Sequence, residues 1–152
     1  MKITGKISIP FSYAAGVAAS RFFDGLKNGK ILGTKCPSCR RVLVPARSFC
    51  ADCYVDTSEY ITLTSSGTLI TWAENADAIG GYDETEIGII KLDGADTGFV
   101  HRIKISDGKN LEIGDRMEAV FKPVSERQGA LDDILYFQPI IERERRLNAG
   151  AI

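Results

Sequence analysis

The chain has 152 residues and a single histidine, His101. That scarcity excludes a histidine-rich metal centre, and no motif surrounds a serine or cysteine nucleophile, so neither a Ser-His-Asp nor a Cys-His arrangement is supported. Neither G-x-x-x-x-G-K-[ST] nor G-x-G-x-x-G occurs, so the sequence offers no backbone cradle of those kinds for nucleotide phosphates. No apolar run approaches the roughly 18 residues of a membrane span. Charge of one sign is also missing: 19 Lys and Arg stand against 20 Asp and Glu, a formal net charge of −1. Nucleic acid and anionic lipid attract clustered, unopposed cations, and this balance gives no such pull. At the N-terminus, MKITGKISIPFSYAAGVAAS sets lysines before small apolar residues, as a signal peptide does. Pro10, Ser12 and Tyr13 break that run, so a cytoplasmic protein is expected.

What the chain does have is four cysteines, all within CPSCRRVLVPARSFCADC: Cys36, Cys39, Cys50 and Cys53. A C-x-x-C turn brings two sulfurs onto one tight knuckle. Val42–Val44 can form a strand that turns the second pair to face the first. Four thiolates arranged tetrahedrally at about 2.3 Å suit Zn²⁺ and leave no position for a catalytic water, so a structural zinc ribbon is expected. A redox-active C-x-x-C normally opens a helix in a βαβ setting, which is lacking here. Iron in the same four-sulfur site is the other metal reading.

Residues 14–29, AAGVAASRFFDGLKNG, read as a helix, with Val17, Phe22, Phe23 and Leu26 at helical spacing and Asn28-Gly29 as the stop. KILGTK is a short strand leading to Cys36. From Ser65 onward, β-branched and aromatic runs alternate with turns: GTLITWAENA, IGIIKLD, GFVHRIKI, RMEAVFKP and ILYFQPI. Five short antiparallel runs point to a small closed barrel of the OB-fold kind. The expected architecture is mainly β: an N-terminal segment and helix over 1–34, a rubredoxin-like zinc ribbon over 35–58, a five-stranded OB-fold barrel over 59–141 and a charged tail over 142–152. His101 shares an apolar strand face with Phe99, Ile103 and Ile105 and reads as a barrel-wall or core histidine. The pairs Asp132-Asp133 and Asp83-Glu84 read as solvated turn residues.

Basic residues gather near the ribbon: Lys30, Lys35, Arg40, Arg41 and Arg47. A solvated mixed-charge face accounts for them, and a phosphate grip is the alternative, since the arginine fork suits phosphate. Phe49 and Tyr54 flank the second knuckle, and Tyr82 sits in the glycine-containing loop AIGGYDETE.

The order of parts carries a resemblance. FFDGLKNGKILGTKC is followed by VLVPARSFCADC, then by a barrel containing LEIGDRMEAVF and LYFQPI. Over about residues 15–141 this resembles the zinc-ribbon/OB-fold family of acyl-CoA-associated accessory proteins, which partner thiolase-superfamily enzymes. Its P-x-R before the second cysteine pair is matched by Pro45 and Arg47. Members differ in whether they keep the four cysteines, so zinc rests on this sequence itself. The resemblance implies a non-catalytic subunit that scaffolds a thiolase-like partner and helps hold the CoA part of an acyl-CoA. Size and layout are similar to small subunits serving thiolases of aromatic succinyl-CoA derivatives, although no residue marks an aromatic substrate. Candidate CoA contacts are Lys35, Arg40, Arg41, Arg47 and Tyr82; candidate partner contacts are Phe22 and Phe23, because one of two adjacent helical aromatics falls off the buried stripe. A single-stranded nucleic-acid module is the alternative, with Trp72, Phe99 and Tyr136 as stacking residues.

Overall fold

A computed structural model describes residues 9–10, 12–73, 86–105 and 110–140. Helix α1 (Gly16–Lys27) leads into β1 (Ile31–Lys35). The helix stops where the sequence said it would. Gly29, at φ 70°, donates to the Leu26 carbonyl, and Lys30 N–H donates to the Gly25 carbonyl. That is a Schellman closure, which requires a residue tolerant of left-handed backbone. The buried face of α1 is Ala18, Phe22, Gly25 and Leu26, a clean i, i+4, i+7, i+8 stripe. Val17, assigned to this face from the sequence, lies off it and is exposed.

Two small sheets follow. Strand β1 pairs with β2 (Val42–Leu43) on one edge and with β5 (Glu59–Leu63) on the other. Strands β3 (Phe49–Cys50) and β4 (Val55–Asp56) form the second sheet. Strand β5 falls within the stretch expected to open the barrel, but its register with all of β1, from Ile31↔Leu63 to Lys35↔Glu59, places it in the ribbon-side sheet.

The barrel is built from β6 (Ser66–Ala73), β7 (Glu86–Leu92), β8 (Phe99–Ile103), β9 (Arg116–Phe121) and β10 (Ile134–Pro139), closed in the order β10-β8-β7-β6-β9. Mainly β architecture, helix, ribbon and five-stranded barrel are all as expected. Pairing is not antiparallel throughout: β8 and β10 run parallel at Ile103↔Phe137. The reason is parity, because an odd number of strands cannot alternate direction around a closed ring. Gly88 is needed where the wall is tightest, since a Cβ there would meet Ile103 Cδ1 at 2.2 Å.

Among the described residues one hydrophobic core joins the helix, the ribbon side and the barrel. Phe22 and Leu26 of the helix, Ile31, Val44 and Leu63 of the ribbon side, and Leu69, Ile90, Phe99, Met117 and Phe137 of the barrel belong to the same buried cluster. Phe22 meets Phe99 edge-on, with ring centroids 6.2 Å apart. His101 is buried as expected. It stacks on Phe99, and its Nε2 lies 3.2 Å from the Leu131 carbonyl. Burial holds its pKa below the usual imidazole value, so the ring is neutral there.

The acidic pair 132–133 departs from the solvated-turn expectation. Asp132 does meet Lys122 at 2.7 Å near the surface, but Asp133 is fully buried at the end of a 3-10 helix, Leu131–Asp133. Its carboxylate accepts the backbone N–H groups of Gln128 (2.9 Å), Gly129 (2.7 Å) and Ala130 (3.2 Å). Burial alone would raise its pKa; the three donors and nearby Lys122 outweigh that and hold it below the ordinary carboxylate range. The folded state therefore favours the ionised form. This contribution is complete above the unfolded-state value of about 4 and disappears as pH falls through the depressed folded value. Asp133→Asn is expected to lose about 1–3 kcal/mol at neutral pH, because buried donors lose a charged acceptor. Urea unfolding at pH 7 and in acid checks this: the gap between wild type and variant should narrow in acid.

Candidate metal centre and its surroundings

The ribbon tip is built from two matching knuckles. In the first, Arg40 N–H donates to the Cys36 carbonyl at 3.0 Å, and in the second Tyr54 N–H donates to the Cys50 carbonyl at 2.9 Å. Each donor directly follows the second cysteine of its pair and adopts left-handed backbone, φ 64° at Arg40 and 54° at Tyr54. Cys39 N–H also points at Cys36 Sγ, 3.4 Å away, closing the first knuckle on its own sulfur. The β1–β2 pair holds the first knuckle, and the β3–β4 pair holds the second.

All four sulfurs lie within 4.8 Å of one another, and Cys39 Sγ is 3.9 Å from Cys50 Sγ. Metal–sulfur bonds of about 2.3 Å in a tetrahedron require sulfur–sulfur edges of about 3.8 Å. The donor set therefore fits structural zinc, bound by thiolates and closed to a catalytic water. The protons agree with this. Hydrogen bonding from the Arg41 backbone lowers the Cys39 thiol to about 6. Cys53 is pushed up to about 11: a bond from Ser38 pulls it down, but Cys39, burial and the other two sulfurs outweigh it. Apart from the sulfurs, the tip's buried apolar content is little more than Leu43, with Val55 packed at its side.

The segment that carries the chain between the knuckles, Val44 to Arg47, is held by hydroxyls. Thr97 Oγ1 accepts from Val44 N–H at 2.8 Å and donates to the Val44 carbonyl at 2.9 Å. Buried Thr34 does the same for Arg47, accepting from its N–H and donating to its carbonyl, both at 3.0 Å. Thr57 Oγ1 adds a second donor to that carbonyl. Asp96 completes the seam: its carboxylate accepts Val42 N–H, and its own N–H donates to the Val42 carbonyl, both at 2.8 Å. The β7–β8 loop thus caps the outer edge of β2. These residues were not singled out in the sequence, where a threonine in a strand reads simply as a β-former.

The expected ligand and partner residues are distributed unevenly. Arg41 is engaged by Asp52, an ion pair that ties one knuckle to the other. Arg40 and Arg47 are exposed and Lys35 is half-buried. A shallow groove of about 300 Å³ runs between α1 and the ribbon, lined by Ala15, Ala18, Ala19, Arg47 and half-exposed Phe49 among others. Phe22 is 2% exposed and cannot be a partner contact: α1 packs on β1 and on the 3-10 helix Leu131–Asp133, and this ring turns into the shared core against Phe99. Phe23 is half-buried against that core. Tyr82, Asp83 and Glu84 lie outside the described residues, as does the tail.

Residues 23–59 match the family described as ChsH2, rubredoxin-like zinc ribbon domain. Over this stretch, the ribbon and the end of the helix before it, the chain is similar to that zinc-ribbon family. A search of curated proteins finds no match. Among solved structures, the chain is similar to a DUF35-family protein of unknown function from Sulfolobus solfataricus, at 23% identity, covering 82% of this chain and 85% of that one, with a TM-score of 0.61. It is also similar to an Ltp2-ChsH2(DUF35) aldolase, at 15% identity, covering 86% of this chain and all of the matched one, with a TM-score of 0.61. At these identities the two likenesses are of fold. They bear out the zinc-ribbon/OB-fold resemblance drawn from residues 15–141. No described helix is long and apolar enough to cross a membrane.

Purified chain is expected to carry one zinc, read by elemental analysis. Cys36→Ser or Cys50→Ser should abolish stoichiometric zinc, and acid should release it, because the ligands must be thiolates. Stripping the metal should expose amides of 36–56 to hydrogen exchange well before those of β6–β9, whose core lies elsewhere.

Proposed function

We propose that this chain is a non-catalytic accessory subunit of an enzyme acting on CoA thioesters, with a thiolase-like partner that carries the reacting groups. The observation that carries this reading is the likeness, over 86% of this chain, to a chain of an Ltp2-ChsH2(DUF35) aldolase, together with a ribbon that matches the ChsH2 zinc-ribbon model. The site chemistry supports it. Among the described residues the four cysteines form the only cluster of metal-ligating side chains, and its thiolates are committed to a closed centre. His101 is buried among phenylalanines and bonded to a main-chain carbonyl, remote in character from a general base. In this reading the partner's nucleophile performs carbon–carbon bond chemistry, and this chain contributes shape and charge at the CoA end. Lys35, Arg40 and Arg47 are the proposed phosphate contacts; Arg41 is occupied by Asp52. A cytoplasmic location accompanies this reading.

Several observations weigh against the nucleic-acid alternative. Phe99 is buried, Trp72 packs against the core, and Tyr136 is half-buried beneath Lys104. Arg116 is held by Asp93, and Lys122 by Asp132. A stacking platform flanked by open cations, which single-strand binding needs, is not built on these strands.

Native purification through a tag on this chain should recover a larger CoA-thioester enzyme in stable ratio. Omitting this chain should lower that enzyme's turnover or raise its KM for the acyl-CoA. Equal activity of the partner alone would overturn the reading.

A further inference from the structure

The four cysteines of the metal centre are not equally covered. Cys36 and Cys50 are wholly buried, Cys53 is half-buried and Cys39 is exposed. The first knuckle is open along its whole turn, because Pro37, Ser38, Cys39 and Arg40 are all exposed. The buried cluster of the tip contains Cys36 and Cys50 and packs on Cys53 and Val55, but it leaves Cys39 out. Arg40 and Arg41 follow Cys39 directly, and hydrogen bonding from the Arg41 backbone meets its sulfur. Accessible thiolates beside cations are the ones that react with oxidants, whereas buried structural cysteines are inert.

A second sulfur stands next to the open one. Cys50 Sγ lies 3.9 Å from Cys39 Sγ, across the gap between the two knuckles. An accessible thiolate with another cysteine poised beside it is the arrangement of a redox-sensitive pair. What depends on these sulfurs is also local. Apart from them the tip buries Leu43, with Val55 at its side. Ile31, Val44 and Leu63 instead share the large core with the barrel. Losing the sulfur cage therefore releases the knuckles and leaves the barrel standing.

We propose that Cys39 is an oxidative modification site, the thiolate at which peroxides enter the metal centre, with Cys50 as the thiolate that resolves it. Cys39 Sγ attacks one peroxide oxygen. A sulfur–oxygen bond forms, the oxygen–oxygen bond breaks, and hydroxide leaves; the sulfur is oxidised by two electrons and the peroxide reduced by two. Cys50 Sγ then attacks Cys39 Sγ, forming a disulfide and displacing a second hydroxide. Two protons from solvent convert both hydroxides to water. Cys36 and Cys53, left as the only two thiolates, do not retain the ion, because a structural site needs four ligands. The knuckles then relax, and Arg40 loses its fixed position at the tip. A thiol reductant with added zinc reverses the change. This inference concerns the metal centre alone and does not depend on the accessory-subunit reading.

The test uses the full chain loaded with zinc and treated with hydrogen peroxide. Zinc release is followed with a chelating dye, and free thiols are counted alongside. Release is expected to track the loss of two thiols, and mass mapping should find Cys39 joined to Cys50. Hydrogen exchange should rise over residues 36–41 and 50–56 and stay unchanged in β6–β9. Cys39→His keeps a fourth zinc ligand but removes the open sulfur, and it should slow release at least about tenfold, since oxidation is site-selective for the accessible thiolate. Release from Cys39→His at the wild-type rate overturns the proposal. A parallel experiment on the wild type decides the matter even if that variant takes up no zinc. With less than one equivalent of peroxide and dimedone as a sulfenic-acid trap, the label should fall on Cys39. Labelling first at Cys36, Cys50 or Cys53 overturns the entry site. A disulfide from Cys39 to Cys36 or Cys53 overturns the role given to Cys50. Zinc that stays bound under excess peroxide, or exchange that rises equally through the barrel, overturns the proposal as a whole.

Discussion

Four sulfurs are nearly all that holds the ribbon tip. Its buried cluster is Cys36, Cys50 and Leu43, with Cys53 and Val55 at the side. Such a cluster buries too little apolar surface to offset the entropy of ordering two knuckles. The left-handed turns at Arg40 and Tyr54 oppose the preference of both residues. Both turns persist because the sulfurs must converge, and a metal among four thiolates supplies the driving force that hydrophobic burial does not. Everything the ribbon presents outward, from the Arg41–Asp52 bridge to the exposed arginines, is positioned by that convergence.

Behind the tip, the ribbon is anchored by polar groups and then by the common core. The hydroxyls of Thr34 and Thr97 and the carboxylate of Asp96 serve main-chain groups that lack strand partners. Pro45 has no N–H to donate, so the segment it occupies cannot run as an ordinary central strand, and side chains take over the role of a ladder. Phe22, Val44 and Phe99 then bury helix, ribbon and barrel in one cluster. The ribbon and barrel therefore hold a fixed relation to one another.

What was legible in the sequence follows from how local the physics is. Cysteine spacing sets ligand geometry within a few residues, so the metal centre could be read directly. The five barrel strands were visible because alternation and turn residues are also local. Phe22 was misassigned because two adjacent aromatics on a helix look equivalent until the helix is docked; Ala18, with its small side chain, gave no hint that it marked the buried stripe. Asp133 looked like any turn carboxylate, since the three amides it serves become convergent only once the 127–130 loop is folded back. The parallel closure followed from an odd strand number that was itself visible, but the pair that carries it depends on the path of the whole chain.

That closure also orders assembly in time. Strand β8 ends at Ile103, and its parallel neighbour β10 begins only at Ile134. During synthesis, therefore, the barrel keeps an open edge until nearly the last strand has emerged. The ribbon-side sheet has every strand available once Leu63 has appeared. A nascent chain can thus take up metal and finish its ribbon while the barrel is still a curved sheet with an unpaired border. Such borders invite pairing with other chains, so the interval before β10 arrives is when this protein is most exposed to misassembly.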